Sequence, residues 1–296
     1  MVSGYVDSVV LALMPEVGLG LARAVGGPLV NGFPTESYIE KMDEAGVEIS
    51  ILLASKGGGH ELAGGDVYER WEIPVDGRKR IIDRYPDRFR GIVGVDPTDP
   101  EKSLQEIETA IRESGFVGVH LYPHWWKEAP DSKLYYPFYE KCVELDVPIQ
   151  MQVGSSLVPF LPSVGRPLAL EQVAIDFPDL RILGSHTGWP WVEEMVAVMQ
   201  NHPNVYVTTS THYPKTHWAN PVTGLRPLPR WDDRLIEFIN LGWVVDGGRG
   251  EDKVLLGTDF PEWEYAITIE EARDVLTPTA FGKVCRDNAV RLFKLR

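Results

Sequence analysis

The chain has 296 residues, 44% of them hydrophobic, which is ample for one large core. Its 43 acidic and 29 basic side chains leave a formal charge of −14, a balance that repels phosphate backbones and argues against nucleic-acid binding. The two cysteines, Cys142 and Cys285, stand outside any CxxC pair, so neither a disulfide framework nor a thiolate zinc site is expected. The N-terminal apolar run lacks a basic start and a small-residue cleavage motif. No stretch is apolar for the 18 or so residues that a membrane helix needs, so the expectation is a soluble cytoplasmic protein.

In chain order, short apolar runs alternate with longer amphipathic ones. The apolar runs read as strands buried on both faces: Val6–Leu13, Ile49–Ala54, Gly91–Val95, Val117–Leu121, Pro148–Val153, Ile182–Ser185, Val205–Thr209 and Val254–Gly257. Between the first two, Thr35 reads as an N-cap for ESYIEKMDEAG, with Gly46 as its stop. After the third, Thr98 or Asp99 caps PEKSLQEIETAIRESG, with Pro100 at the first helical position and Gly115 at the end. Further helices are predicted at YYPFYEKCVEL, RPLALEQVAIDF, WVEEMVAVMQN, WDDRLIEFINLG and TAFGKVCRDNAVRLFK. Two long polar connections remain, Lys56–Asp76 and Thr211–Arg230, and loops of that length in a compact domain tend to carry function.

Eight strands alternating with helices imply a parallel sheet, and eight in this length favour a closed (β/α)8 TIM barrel, one domain spanning 1–296. A doubly wound open sheet is the other architecture, but no strand leads into a GxGxxG or GxxxxGK[ST] turn.

In a barrel the chemistry sits where strands end. Six of the seven histidines lie on or just after a strand: His60, His120, His124, His186, His212 and His217; His202 falls on the opposite rim. Trp125, Trp126, Trp189, Trp191, Trp218 and Trp263 also follow strands. Each aromatic taken singly is explained as a cap on the mouth. Taken together they suggest a wall that stacks on a flat ligand, with Tyr122, Trp125, Trp126, Gln152, Trp189, His212 and Trp263 as candidate substrate contacts. Asp259 closes the eighth strand in VLLGTDFPEW and His186 the sixth in ILGSHTGWPW. A salt-bridged carboxylate and a hydrogen-bonded core imidazole are the structural readings. The functional one is an acid–base pair, because a carboxylate at the end of an apolar strand is costly unless it is paired.

The stretches MDEAGVE, YPDRFRGIVGVDPTDPEKSLQEIE, GFVGVHLYP, VPIQMQVGSS, ILGSHTGWPWVEE, HPNVYVTTS and LLGTDFP, in that order, resemble the amidohydrolase-related barrels of the aminocarboxymuconate-semialdehyde decarboxylase type. The resemblance runs from about Val6 to Phe293. It implies a branch of decarboxylases, hydratases and hydrolases. It also implies a divalent metal held by an HxH pair on strand one, a histidine on strand five and an aspartate on strand eight. A further histidine on strand six acts near the site. With Asp7 aligned to the family's aspartate, Val9 and Leu11 replace the HxH pair and Gln152 replaces the strand-five histidine. Only Asp259 and the strand-six His186 remain. Valine and leucine offer no lone pair, so the expectation is no cofactor and no metal ligands. The exception would be a displaced zinc-type site drawn from His120, His124, His186 and Asp259.

Three functions follow. The first is metal-independent hydrolysis of a small cyclic or aromatic substrate, with Asp259 and His186 catalytic and His120, His124 or Tyr122 assisting, as in the pyrone-dicarboxylate lactonases that the resemblance brings in. The second is non-oxidative decarboxylation of an aromatic or unsaturated acid. Its carboxylate would need a cation, with Lys56, Lys127, Lys215 and Arg226 as loop candidates that otherwise read as surface charges. The third is a barrel that binds a small molecule without turning it over. A homodimer is compatible with the branch. No residue requires one.

Overall fold

The computed structural model describes residues 4–11, 14, 33–61, 67–68, 70–155, 162–210 and 231–295. Eight parallel strands pair in one sheet: β1 (Tyr5–Leu11), β2 (Val47–Leu53), β3 (Phe89–Gly94), β4 (Gly118–Leu121), β5 (Ile149–Gln152), β6 (Ile182–Ser185), β7 (Val205–Thr208) and β8 (Val254–Leu255). The order in space is the order in sequence, as right-handed β–α–β crossovers produce. Every apolar run read as a strand is one. β8 is the shortest in regular pairing, and its extension matters most. Ser8 N–H donates to the Leu256 carbonyl, Asp259 N–H to Val9 and Leu11 N–H to Phe260, each at 2.9 Å. These bonds join the first strand to the last and bring the sheet round into a (β/α)8 barrel.

Helices α1 (Thr35–Ala45), α2 (Val75–Arg84), α3 (Pro100–Glu113), α4 (Tyr136–Glu144), α5 (Ala169–Asp176), α6 (Val192–Asn201), α7 (Asp233–Leu241) and α8 (Tyr265–Val275) follow the strands in turn. Thr35 is the first helical residue rather than the cap; Pro34 holds the cap position, and Gly46 ends the helix at φ 72°. Asp99, not Thr98, caps α3, its carboxylate accepting from Lys102 N–H. Two helices escaped the sequence reading. α2 carries only two large apolar buried residues, Ile81 and Ile82, and turns Arg78 inward instead. That arginine is fully buried, donating to the carbonyls of Ile92 and Ile73 and stacking on Phe116, so no apolar stripe announces the helix. α8 lies in the stretch after the last strand, to which no element was assigned. The Lys56–Asp76 connection holds two short antiparallel ladders, Lys56–Gly57 with Trp71–Glu72 and His60–Glu61 with Val67–Tyr68.

Side chains alternate across each strand, so one set fills the barrel and the other meets the helices. Inside lie Val6, Val9, Ile49, Ile51, Leu53, Ile92, Leu183 and Leu255, in one cluster with Ala289, Leu292, Phe293 and Leu295. The last four come from the C-terminal segment, predicted as one helix. It runs as Pro278–Gly282, a π turn at Lys283–Asp287, and Asn288–Phe293. Asn288 fastens it to the start of β8 through the carbonyls of Glu251 and Val254, at 2.8 and 2.7 Å. The segment therefore plugs the bottom of the barrel. Both cysteines are buried and unbridged. No helix among the described residues is long and apolar enough to cross a membrane.

Removing the plug's largest side chain should open a cavity against the barrel floor. Phe293→Ala is expected to lower the unfolding free energy by about 3–5 kcal/mol in urea titrations. A loss under about 1 kcal/mol would show that this segment does not seal the core.

Candidate active site

The bulged register of β1 decides what its inward positions offer. Its pairing with β2 slips between Asp7 and Val10, and Val9 and Leu11 both join the interior cluster. The two positions expected for an HxH pair thus do face the barrel, and they present hydrocarbon. On β5, Ile149 and Met151 point to the helices, so Gln150 and Gln152 point inward. On β4, Val119 and Leu121 belong to the outer core, which turns His120 inward, opposite Gln150 in the strand register.

His186 and Asp259, which leave β6 and β8, come together. His186 Nδ1 lies 3.5 Å from Asp259 Oδ2, 3.1 Å from the Ser210 carbonyl and 3.1 Å from Ser210 Oγ. With acceptors converging on it, Nδ1 carries the proton and Nε2 keeps its lone pair. Both residues adopt left-handed backbone, φ 74° for His186 and 58° for Asp259. Such conformations cost a side-chain-bearing residue roughly 1–2 kcal/mol and are held by surrounding bonds. Burial lowers His186 to about 4, opposed by its bond to the Ser210 carbonyl.

His120 and His124 stand beside this pair. The one-turn helix Pro123–Trp126 buries His124 completely and sets its Nε2 2.9 Å from the Gly154 carbonyl. Two glycines make that approach possible. A side chain at Gly154 (φ 81°) would strike the Trp189 carbonyl at 2.4 Å, and one at Gly165 would meet the His124 ring at 2.5 Å. Burial pushes His124 down to about 4 and His120 to about 3; nearby His186 adds to both shifts, while bonds to the Gly154 and Ala54 carbonyls oppose them. Both are neutral imidazoles at neutral pH. Their Nδ1 atoms are buried with no hydrogen-bond partner among the described residues. Tyr122 sits edge-on between them, with ring centroids 6.1 Å from His120 and 5.8 Å from His124.

The other predicted contacts divide. Gln152, Trp189 and Trp263 lie at strand ends, buried or half-buried. Trp126 is half-buried, with the Arg70 guanidinium 6.0 Å from its ring. Trp125 is corrected: it is fully buried, edge-on to Trp71 at 5.2 Å, and belongs to the core rather than to a ligand-facing wall. Lys56 is corrected too. It is not a surface charge but a buried one, paired with Glu106, beside a cavity of about 340 Å³ that Arg70, Asp96 and Ser103 also line. Lys127 is exposed. His212, His217, Trp218, Lys215 and Arg226 lie outside the described residues, and of His60 only the backbone is described. His202 is on the far rim, 3.5 Å from Glu171.

Sequence reasoning missed the polar groups around the pair. Asp7 is one of them, fully buried on β1. Its carboxyl accepts from Val9 N–H, Thr258 N–H and the Thr258 hydroxyl. Burial raises Asp7 to about 7 and Glu262 to about 8, the charge of Asp259 adding to both. The only sequence signal for Glu262 is its place three residues after Asp259.

Eight parallel strands, surrounding helices and polar residues gathered at the strand ends define a barrel enzyme. Residues 80–295 match the family model described as amidohydrolase. The chain belongs to that superfamily, in the branch of the aminocarboxymuconate-semialdehyde decarboxylase type, and is an enzyme of it. It is 24% identical to a gamma-resorcylate decarboxylase of Polaromonas sp., over 87% of this chain and 86% of that one. It is 34% identical to a 2-keto-4-carboxy-3-hexenedioate hydratase of Sphingobium sp., but over 37% of this chain and 38% of the hydratase. A solved dihydroxybenzoic acid decarboxylase from Polaromonas sp. superposes with a TM-score of 0.66 at 18% identity, over 99% and 97% of the two chains.

That last structure holds manganese and the inhibitor 2-nitroresorcinol. The expectation of a cofactor-free barrel is overturned by this finding and does not stand. The described side chains nevertheless do not complete the family's metal centre. Val9 and Leu11 cannot ligate, and no three His, Cys, Asp or Glu residues among those described are grouped to hold an ion.

The buried imidazoles give a pH signature. An unfolded histidine takes up its proton near 6.5, whereas His120 and His124 do so only near 3 and 4. As pH falls from about 6.5 to about 4 the unfolded state binds protons first, so these two residues make stability decline with acidification. Histidine-selective NMR is expected to show both rings neutral at pH 6. A ring of either residue found protonated there would contradict this burial.

Proposed function

We propose that the chain catalyses non-oxidative decarboxylation of a small aromatic acid, with Asp259 and His186 as its acid–base pair. The observation that carries this reading is the 3.5 Å contact between His186 Nδ1 and Asp259 Oδ2, at the barrel end where such enzymes react. The decarboxylase relatives support it over hydrolysis, the reading that the sequence had put first, because they match along most of the chain. The hydratase match covers a smaller part.

The reaction needs one proton at one carbon. A proton is added to the ring carbon that bears the carboxylate, the C–C bond breaks, its electron pair restores the aromatic ring, and CO2 leaves. Asp259 in its acid form supplies that proton. Closely grouped carboxyl groups cannot all ionise cheaply, and burial raises Glu262 and Asp7 beside Asp259, so a proton is held within the group. His186 orients Asp259 through Nδ1–H and offers Nε2 to a substrate hydroxyl. The neutral rings of His120, His124 and Tyr122 exclude water and accept hydrogen bonds. They add no charge to compete with the carboxylate for solvent.

The test is product analysis with 2,6-dihydroxybenzoate and related ortho-hydroxy acids. Release of one CO2 per acid consumed is expected, with Asp259→Asn lowering kcat by at least about 100-fold and His186→Gln by about 10- to 100-fold. A product heavier by one water, formed from a lactone with no CO2 from any acid, would replace this reading with hydrolysis.

A further inference from the structure

We propose that Asp7 is a positioning residue for Asp259, acting through Thr258 across the seam where the first and last strands meet. The inference rests on Asp259 being the reacting carboxyl group. Asp259 sits in a left-handed backbone conformation that a side chain does not choose unaided. What holds it there is a closed circuit of hydrogen bonds. Asp259 N–H donates to the Val9 carbonyl at 2.9 Å. Val9 N–H donates to Asp7 Oδ1 at 3.0 Å. Thr258 donates to the same carboxyl group twice, from its N–H at 3.1 Å to Oδ1 and from its hydroxyl to Oδ2. The Thr258 hydroxyl in turn accepts from Phe260 N–H at 2.9 Å, and the Phe260 carbonyl accepts from Leu11 N–H. Both neighbours of Asp259 in the chain are thus tied to β1, and so is its own amide.

The chemistry of the circuit selects an acid at position 7. Asp7 and Thr258 are fully buried, with no water route to replace a lost partner. Three donors converge on Asp7, and a carboxylate accepts all three. An asparagine would turn an NH2 toward the Thr258 hydroxyl, which could meet it only as an acceptor, leaving the hydroxyl hydrogen without its buried partner. The hydroxyl would then rotate away, and Thr258 and Phe260 would lose their common anchor. The His186–Asp259 distance would follow, because the residues on either side of Asp259 take their places from this circuit. An angstrom of displacement at a reacting group is enough to change a rate strongly.

The test uses the full chain with Asp7→Asn, Thr258→Val and Thr258→Ser. Histidine-selective 15N NMR reads His186 Nδ1, which faces Asp259, against His202 on the far rim. In Asp7→Asn and Thr258→Val the His186 signal is expected to move while that of His202 stays. Turnover of 2,6-dihydroxybenzoate should lose about 10- to 100-fold in kcat with KM changed less than about threefold. Thr258→Ser keeps the hydroxyl and is expected to preserve both readouts. A folded Asp7→Asn with an unmoved His186 signal overturns the proposal. So does a kcat loss that Thr258→Ser shares equally with Thr258→Val. If the parent chain does not decarboxylate the acid, the functional reading fails while the His186 signal still decides the positioning. Should Asp7→Asn not fold, Thr258→Val carries the same comparison.

Discussion

A parallel barrel has to close, and in this chain the closure is also what builds the site. Eight strands in sequence order leave the first and last with unpaired backbone groups unless they meet. They meet through the 2.9 Å bonds from Ser8 to Leu256, Asp259 to Val9 and Leu11 to Phe260. The second of these holds Asp259 itself. The bulge in β1 between Asp7 and Val10 brings Val9 to that position and leaves Asp7 free to receive Thr258. Fold and candidate site therefore share a few atoms: a bond that closes the barrel is also the bond on the Asp259 amide.

The electrostatics of the mouth follow from burial more than from pairing. Three imidazoles, His120, His124 and His186, are held neutral by desolvation, while Asp7 and Glu262 are pushed upward around Asp259. Such a site favours mobile protons over fixed charges. The proposed proton addition to carbon needs an acid present at neutral pH, and burial leaves Glu262, raised to about 8 beside Asp259, in that form. Among the described residues, Lys56 is engaged with Glu106 and Arg70 with Asp96.

Much of the architecture was legible because burial on both faces leaves a plain mark. All eight strands showed as apolar runs, and His186 and Asp259 stood out as polar residues ending two of them. Val9 and Leu11 were read in the correct inward register. The rest was hidden for physical reasons. α2 is anchored by a buried arginine, so it lacks the stripe by which helices are recognised. Trp125 and Trp126 are adjacent, yet one fills the core and the other meets Arg70, a difference set by a single turn of helix. The roles of Asp7 and Thr258 depend on a contact across 251 positions of sequence, which no local pattern records. Val9 and Leu11 carry no metal-ligating atom, but that did not license a cofactor-free enzyme, given a manganese-bearing decarboxylase of the same fold.

The most direct measurement is turnover of 2,6-dihydroxybenzoate in heavy water, with the product examined by mass spectrometry and NMR. Proton delivery to the carboxylated carbon requires one CO2 per turnover and one deuterium at the carbon that lost it. A product that retains the carboxylate, or that has gained the elements of water, would contradict the account.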